Sequence, residues 1–282
     1  YNVIHSEFVP LFNPFQSYFD HLPSWDGVSD PIGDLADTVH VKSDQAEFRD
    51  YFRKWFVGIL PALLDDTVVN HEILVLIGEQ GLYKTTWFNF LLPPELRCYF
   101  YTKTNSDRLN KDDLFSLTEF ALICFEELDG MRPAELNQLK AMVTMPYVNE
   151  RAAYGRNKER HPHIASFCGT GNNVQFLTDP TGNRRWLPFE VSQIRDPHLH
   201  AIPYELVYSQ AYALWKSGFC HWFSQEEIRV LNTHNSRFEV PNLEEDLIRT
   251  HFRKPFEGEA GIFVTAADIL EQISSCLRYP LS

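Results

Sequence analysis

Residues 73–86 read ILVLIGEQGLYKTT. Ile73 to Ile77 is an unbroken apolar run of strand length stopped at once by Gly78, the pattern of a strand buried on both faces of a parallel sheet. A helix is expected from Lys84 to about Leu92, because Pro93 and Pro94 cannot continue it. Between strand and helix, Gly78 and Gly81 precede Lys84 and Thr85 in the spacing GxxxxGK[ST], with Tyr83 standing where that pattern has its second glycine. Such glycines let backbone N–H groups curl around phosphates, the lysine reaches the outer phosphate oxygens, and the hydroxyl ligates Mg²⁺. Gly78, Glu79, Gln80, Gly81, Leu82, Tyr83, Lys84, Thr85 and Thr86 are therefore candidate nucleotide contacts. Taken alone, the stretch also reads as a strand, a glycine turn and a helix that happens to open on Lys-Thr-Thr.

Working outward, Ser43 is placed to cap a helix that runs to about Leu60, with Phe48, Tyr51, Phe52, Trp55, Phe56 and Ile59 recurring at three and four. Beyond Pro93, Arg97–Tyr101, Glu119–Phe125, Ile164–Cys168 and Trp186–Phe189 read as four more strands, and Lys111–Leu117 and the segment opening at Pro133 as helices between them. Strands alternating with helices predict an α/β fold: a central, mostly parallel five-stranded sheet covered by helices, with helical segments at both ends. Residues 1–66 read as an N-terminal loop and helical segment, 67–200 as the core, and 201–240 as a helical extension. In residues 241–282, Leu243–Phe252 and Thr265–Ser275 read as two helices, the second opened by a Thr265/Asp268 capping box. Such a pair could begin a winged-helix module whose recognition helix is missing.

The 282 residues carry a net charge of −13, which excludes a uniformly basic nucleic-acid coat but leaves room for a local basic patch. No apolar run approaches the roughly 20 residues a membrane helix needs, and there is no basic-then-apolar leader. No membrane association is expected. The five cysteines are odd in number, widely spaced and never paired as CxxC, so disulfides and zinc are not expected and a reducing cytoplasm is. A first residue of Tyr1 suggests a piece of a longer protein.

Three further motifs carry chemistry. ALICF at 121–125 ends in Glu126, Glu127 and Asp129; adjacent carboxylates at a strand end beside a phosphate loop suit holding Mg²⁺ and orienting an attacking water, although such an end is more often a solvated turn. IASFCGTGNN at 164–173 delivers the amide of Asn172 to a strand's carboxyl end, where ligands bind in open α/β sheets. DPTGNRRW at 179–186 presents Arg184 and Arg185 on a turn, the side chains that stabilise a transferring phosphoryl when they reach it from a neighbouring subunit. Arg151, Arg156, Lys158 and Arg160, with two histidines, form the densest basic segment of an acidic chain, suited to phosphate contacts though diluted by Glu150 and Glu159.

Taken together, GEQGLYKTT, FEELDGM with ELNQLKAMVT, ERAAYGR, FCGTGNNVQFL and DPTGNRRWLPFEV, spanning about Ile73 to Phe189, resemble the virulence-associated protein E family. That P-loop family of phages and mobile elements is similar to superfamily 3 helicases and to the helicase part of poxvirus-type primase-helicases. The resemblance implies an AAA+-like P-loop NTPase that hydrolyses ATP with Mg²⁺ at the subunit interfaces of a homo-oligomeric ring and moves along single-stranded or forked DNA. It makes Lys84 a phosphate contact, Thr85, Glu126 and Asp129 the metal set, Glu127 the water-orienting acid, Asn172 the sensor amide, and Arg184 or Arg185 the finger. A hairpin carrying Arg151, Arg156, Lys158 and Arg160 would grip DNA, and a primase module could precede Tyr1. The rivals are a non-hydrolysing P-loop scaffold used for assembly or DNA binding, with Tyr83 a mark of decay, and a small-molecule kinase. A Rossmann oxidoreductase is disfavoured because GEQGLYK lacks the GxGxxG spacing.

Overall fold

The computed structural model describes residues 12–104, 111–150, 159–179, 183–241, 243–256 and 258–275. The chain divides into two compact units, Tyr1–Glu239 and Val240–Ser282. The segments expected as 1–66 and 67–200, and nearly all of 201–240, lie within the first.

That unit opens with two short helices, α1 (Pro14–Asp20) and α2 (Pro31–Ala36), each with proline in its first turn and a capping side chain before it, Asn13 and Asp30. Strand β1 (Val39–Val41) follows, then the long helix α3 (Gln45–Leu64). The cap of α3 is Asp44 rather than Ser43: its carboxylate accepts from the N–H groups of Ala46 and Glu47. The alternating units come next: β2 (Ile73–Ile77), α4 (Lys84–Leu91), β3 (Phe100–Lys103), α5 (Lys111–Glu119), β4 (Leu122–Phe125) and α6 (Pro133–Val143). A hairpin of β5 (Tyr147–Glu150) and β6 (Glu159–Pro162) leads to β7 (Ser166–Gly171) and β8 (Trp186–Ile194), and α7 (Tyr204–Lys216) and α8 (Gln225–Asn235) close the unit.

The main sheet has six strands in the order β1-β8-β2-β7-β4-β3. The five expected strands supply its parallel part, β8-β2-β7-β4-β3. The expectation of five strands is corrected by β1, which adds antiparallel to β8 and makes the sheet mixed. Three residues, Val-His-Val, are too few to leave a period in the sequence.

Alternation within the strands sorts the core into two layers. Leu74, Leu76, Cys124, Cys168, Leu187 and Phe189 face α3, α4 and α7, while Ile73, Val75, Ile77, Ile123, Phe125 and Phe167 face α5 and α6. An apolar run in β2 is thus required by burial on both sides. Helix α3 is pinned as well as packed: buried Trp55 donates from Nε1 to the carbonyl of Phe167 at 2.9 Å. Cys124 and Cys168 are buried side by side as free thiols, in register on β4 and β7.

The second unit holds α9 (Leu243–His251) and α10 (Ala266–Ser275). The reciprocal Thr265/Asp268 cap opens α10, with Thr265 N–H donating to Asp268 at 2.8 Å and Asp268 N–H to Thr265 Oγ1 at 3.2 Å. No helix among the described residues is long and apolar enough to cross a membrane.

Gly169 in β7 faces the 3₁₀ turn Leu128–Gly130 so closely that a Cβ there would lie 2.2 Å from Leu128 Cδ1. Gly169→Ala is expected to lower unfolding free energy by about 1–3 kcal/mol through overpacking, read from the shift of a denaturant midpoint.

Candidate active site

Strands β2, β4 and β7 run parallel and adjacent, so their carboxyl ends deliver three loops to one edge of the sheet. Register brings Ile77 beside Gly171 and Phe125 beside Gly169, which places the loops that follow next to one another. Gln80 to Thr86 from the first loop, Glu126 and Glu127 from the second, and Thr170 and Asn172 from the third line a cavity of about 340 Å³.

The first loop is built around Lys84. Its ammonium is buried and donates to the carbonyls of Gly78 at 2.6 Å and Glu79 at 2.7 Å, with Asn172 Oδ1 at 3.4 Å. Burial holds its pKa below the ordinary lysine value, and the carboxylate of Asp129 opposes that shift. The turn is completed by left-handed backbone at Gly81 (φ 88°) and Tyr83 (φ 61°). Glycine adopts this at no steric cost; a tyrosine does not, since left-handed backbone costs an L residue roughly 1–2 kcal/mol. The departure from the glycine pattern thus keeps the backbone shape that glycine would give, with the phenol ring half exposed at the cavity. No side chain caps α4, so the N–H groups of its first turn face the cavity uncovered by any cap, the arrangement that favours an anion.

In the second loop Glu126 accepts from Thr85 Oγ1 at 2.8 Å, joining two of the three oxygen donors expected for a metal. Glu127 is exposed and, with Tyr83, is one of two non-glycine residues with left-handed backbone among the described residues. Both line the same cavity, and strain of this kind gathers at functional sites. Asp129 stands apart from the cavity. Its two oxygens accept from the N–H groups of Asn172 at 3.1 Å and Asn173 at 3.0 Å, tying the second loop to the third. Gly171 is what lets that carboxylate approach, since a Cβ there would lie 2.9 Å from Asp129 Oδ1. Thr170 is a lining residue that the sequence reading passed over; the alternation of β7 that brings Gly169 and Gly171 against the 3₁₀ turn is the signal that could have found it.

Arg184 and Arg185 are not in this group. They lie on a 3₁₀ turn before Trp186, which pairs with Ile73 at the opposite, amino edge of the strands. There they line a second cavity of about 370 Å³ with His71, Glu72, Thr144 and Trp222. Sequence reading had singled out neither His71 nor Glu72. Burial pushes the Glu72 carboxyl up to about 7, partly offset by Lys54 and Arg185. Arg160 lies on β6, exposed, with its guanidinium 3.6 Å from the centre of the Tyr147 ring. The hairpin expected between the acidic and amide-bearing strands is thus present as β5 and β6, in register Asn149 with Arg160. Arg151, Arg156 and Lys158 lie outside the described residues.

A model of the virulence-associated protein E-like domain matches residues 20–240. The chain belongs to that family. Among solved structures, the apo structure of the NrS-1 C-terminal region is similar, with a TM-score of 0.53 at 13% identity over 82% of this chain and 56% of that one. A second structure of the region, its A form, gives a TM-score of 0.49 at 13% identity. The chain spans little more than half the length of that region, and at this identity the likeness concerns fold alone. No curated protein matches the chain. In this virulence-associated protein E-like domain, four of the stretches that carried the sequence resemblance fall at the two edges of one sheet: GEQGLYKTT, FEELDGM and CGTGNN at the carboxyl edge, and Asn183 to Trp186 at the amino edge.

Two consequences can be measured. Tyr83→Gly removes the left-handed penalty but adds glycine's chain entropy of about 0.5–1 kcal/mol; a net gain of up to about 1 kcal/mol is expected in chemical denaturation, whereas Tyr83→Val is expected to lose stability. For Glu72, the folded-state pKa of about 7 lies above the ordinary 4.5, so the folded protein retains a proton that the unfolded chain releases, and stability falls as pH rises through that window. Glu72→Gln is expected to be more stable than wild type by about 1–3 kcal/mol at pH 8, with the difference vanishing near pH 4.

Proposed function

We propose that this chain is the ATP-hydrolysing, DNA-translocating core of a phage or mobile-element replication protein that works as a homo-oligomeric ring. The observation that carries the reading is the convergence of Lys84, Thr85, Glu126, Glu127 and Asn172 on one cavity at the carboxyl edge of a parallel sheet. Family membership supports it, because the family match covers the whole stretch that holds these five residues.

In this reading a triphosphate enters against the uncapped start of α4, and Lys84 exchanges the carbonyls of Gly78 and Glu79 for phosphate oxygens. The donor set fits Mg²⁺: Thr85 Oγ1 and Glu126 are hard oxygen ligands, and no group of three or more His, Cys, Asp or Glu side chains among the described residues forms a cage of its own. When bound, Mg²⁺ would neutralise phosphate charge. Glu127 orients the attacking water and accepts its proton as oxygen bonds to the γ-phosphorus; the bond to the β–γ bridging oxygen breaks, and ADP leaves with the electron pair. Asn172, donating to or accepting from the γ-phosphate and water, senses which state is present. Asp129 positions that amide through the backbone N–H groups of Asn172 and Asn173. The β5–β6 hairpin carries Arg160, which in this reading contacts DNA phosphates together with Arg151, Arg156 and Lys158 of the same basic segment of sequence. Tyr83 argues against the scaffold reading, since a decayed loop has no reason to keep a strained left-handed backbone at the position the phosphate loop needs.

Lys84→Ala and Glu127→Gln are each expected to abolish ATP turnover stimulated by single-stranded DNA, measured as phosphate release on full-length chain. Lys84→Ala loses nucleotide binding as well, whereas Glu127→Gln retains it. Wild-type turnover in both variants would remove the assignment, and absence of turnover in the wild type would favour the scaffold.

A further inference from the structure

Both legs of the turn that carries Arg184 and Arg185 are held by one short segment, residues 235–239, at the end of α8. Asn235 is fully buried. Its Nδ2 donates to the carbonyl of Asn183 at 2.8 Å and to that of Trp186 at 3.0 Å, so a single amide spans the two arginines. Asn183 is also buried and donates from its own Nδ2 to Glu239 Oε1 at 2.9 Å. On the other leg, the N–H groups of Phe176 and Leu177 both donate to the carbonyl of Phe238 at 3.0 Å.

This clamp is poorly optimised for stability. The Oδ1 atoms of Asn183 and Asn235 and the Nε1 of Trp186 are buried without a hydrogen-bond partner. An unmet buried polar atom costs about 1–3 kcal/mol, and an apolar side chain at 235 would avoid that for its own atoms. What an apolar side chain could not do is fix the two carbonyls on either side of Arg184 and Arg185, one exposed and one half-buried at the rim of the second cavity. We propose that Asn235 is a positioning residue for this arginine pair, setting the direction from which the guanidinium groups reach a phosphate bound by a neighbouring copy. The inference rests on the reading of the chain as an ATP hydrolase acting between subunits, and it concerns only how the arginines are aimed.

The test compares steady-state ATP turnover, at saturating single-stranded DNA, of full-length wild type, Asn235→Ala, Glu239→Ala and Gln210→Ala. Gln210 is the control. It is another buried amide with two hydrogen bonds, accepting from Ile32 N–H at 2.8 Å and donating to Asp30 at 2.9 Å, on α7 against α2. Misaiming a catalytic group by about 1 Å lowers rate on the order of 100-fold. Asn235→Ala is therefore expected to lower kcat by about that factor, with KM for ATP and the Kd of a fluorescent ATP analogue unchanged within about twofold. Glu239→Ala is expected to lower kcat less, with the same unchanged KM, and it decides the matter if Asn235→Ala does not fold. Gln210→Ala is expected to lower the melting temperature and leave kcat alone. Wild-type kcat in Asn235→Ala, a change in KM at constant kcat, or an equal loss in Gln210→Ala overturns this inference while leaving the hydrolase reading standing. A wild-type protein without turnover overturns both.

Discussion

A buried ammonium organises the carboxyl edge of this sheet. Lys84 is held by the carbonyls of Gly78 and Glu79, which can converge on it because the chain turns left-handed at Gly81 and again at Tyr83. With the ammonium there, the negative ends of two peptide groups are neutralised next to the positive start of α4, and Asn172 and Asp129 are drawn toward the same charge. Its pKa is lowered because burial takes the charge out of water, and the two carbonyls are what it bonds to instead.

The second and third loops are locked by contacts that require glycine. Gly169 admits Leu128 and Gly171 admits the carboxylate of Asp129, so the acidic turn lies flat on the end of β7 and hands its amide, Asn172, to Lys84. Asp129 illustrates how local geometry redistributes roles within an acidic cluster. Three carboxylates within four residues look equivalent as letters, but backbone N–H groups occupy both oxygens of one, a threonine hydroxyl engages the second, and left-handed backbone presents the third at the cavity.

Much of this was legible because burial leaves a strong mark. Ile73–Ile77 is apolar on both faces, and its bounds as a strand match the run. Where the mark fades, the reading fails. Strand β1 is three residues long, and β8 continues past Phe189 to Ile194 through Glu190, Ser192 and Gln193, whose polarity suits a sheet margin rather than a core. The cap of α3 was misplaced by one residue because serine and aspartate stand side by side and either can cap; the carboxylate is the one that accepts. The site's main residues were legible as types at a spacing. Thr170, Glu72 and the clamp at Asn235 were not, because each acquires its role from neighbours that are distant in the sequence, as Asn235 does from Asn183 and Trp186, and one-dimensional spacing carries no trace of that.

The separation of the two cavities follows from strand geometry. Trp186 pairs with Ile73 and the loop that holds Lys84 begins after Ile77, so the arginines and Lys84 are divided by the whole of β2. Five residues at about 3.3 Å each make roughly 16 Å, well beyond an arginine side chain anchored at the far edge. If these guanidinium groups act on phosphate at all, they act on phosphate held by another copy, whose carboxyl edge must then face this amino edge. A heterologous contact of that kind repeats until it closes, and closure by rotation makes a ring. The parallel sheet thus sets the carbonyls that hold Lys84 at one end of its strands and the arginine pair at the other, each lining a cavity of its own.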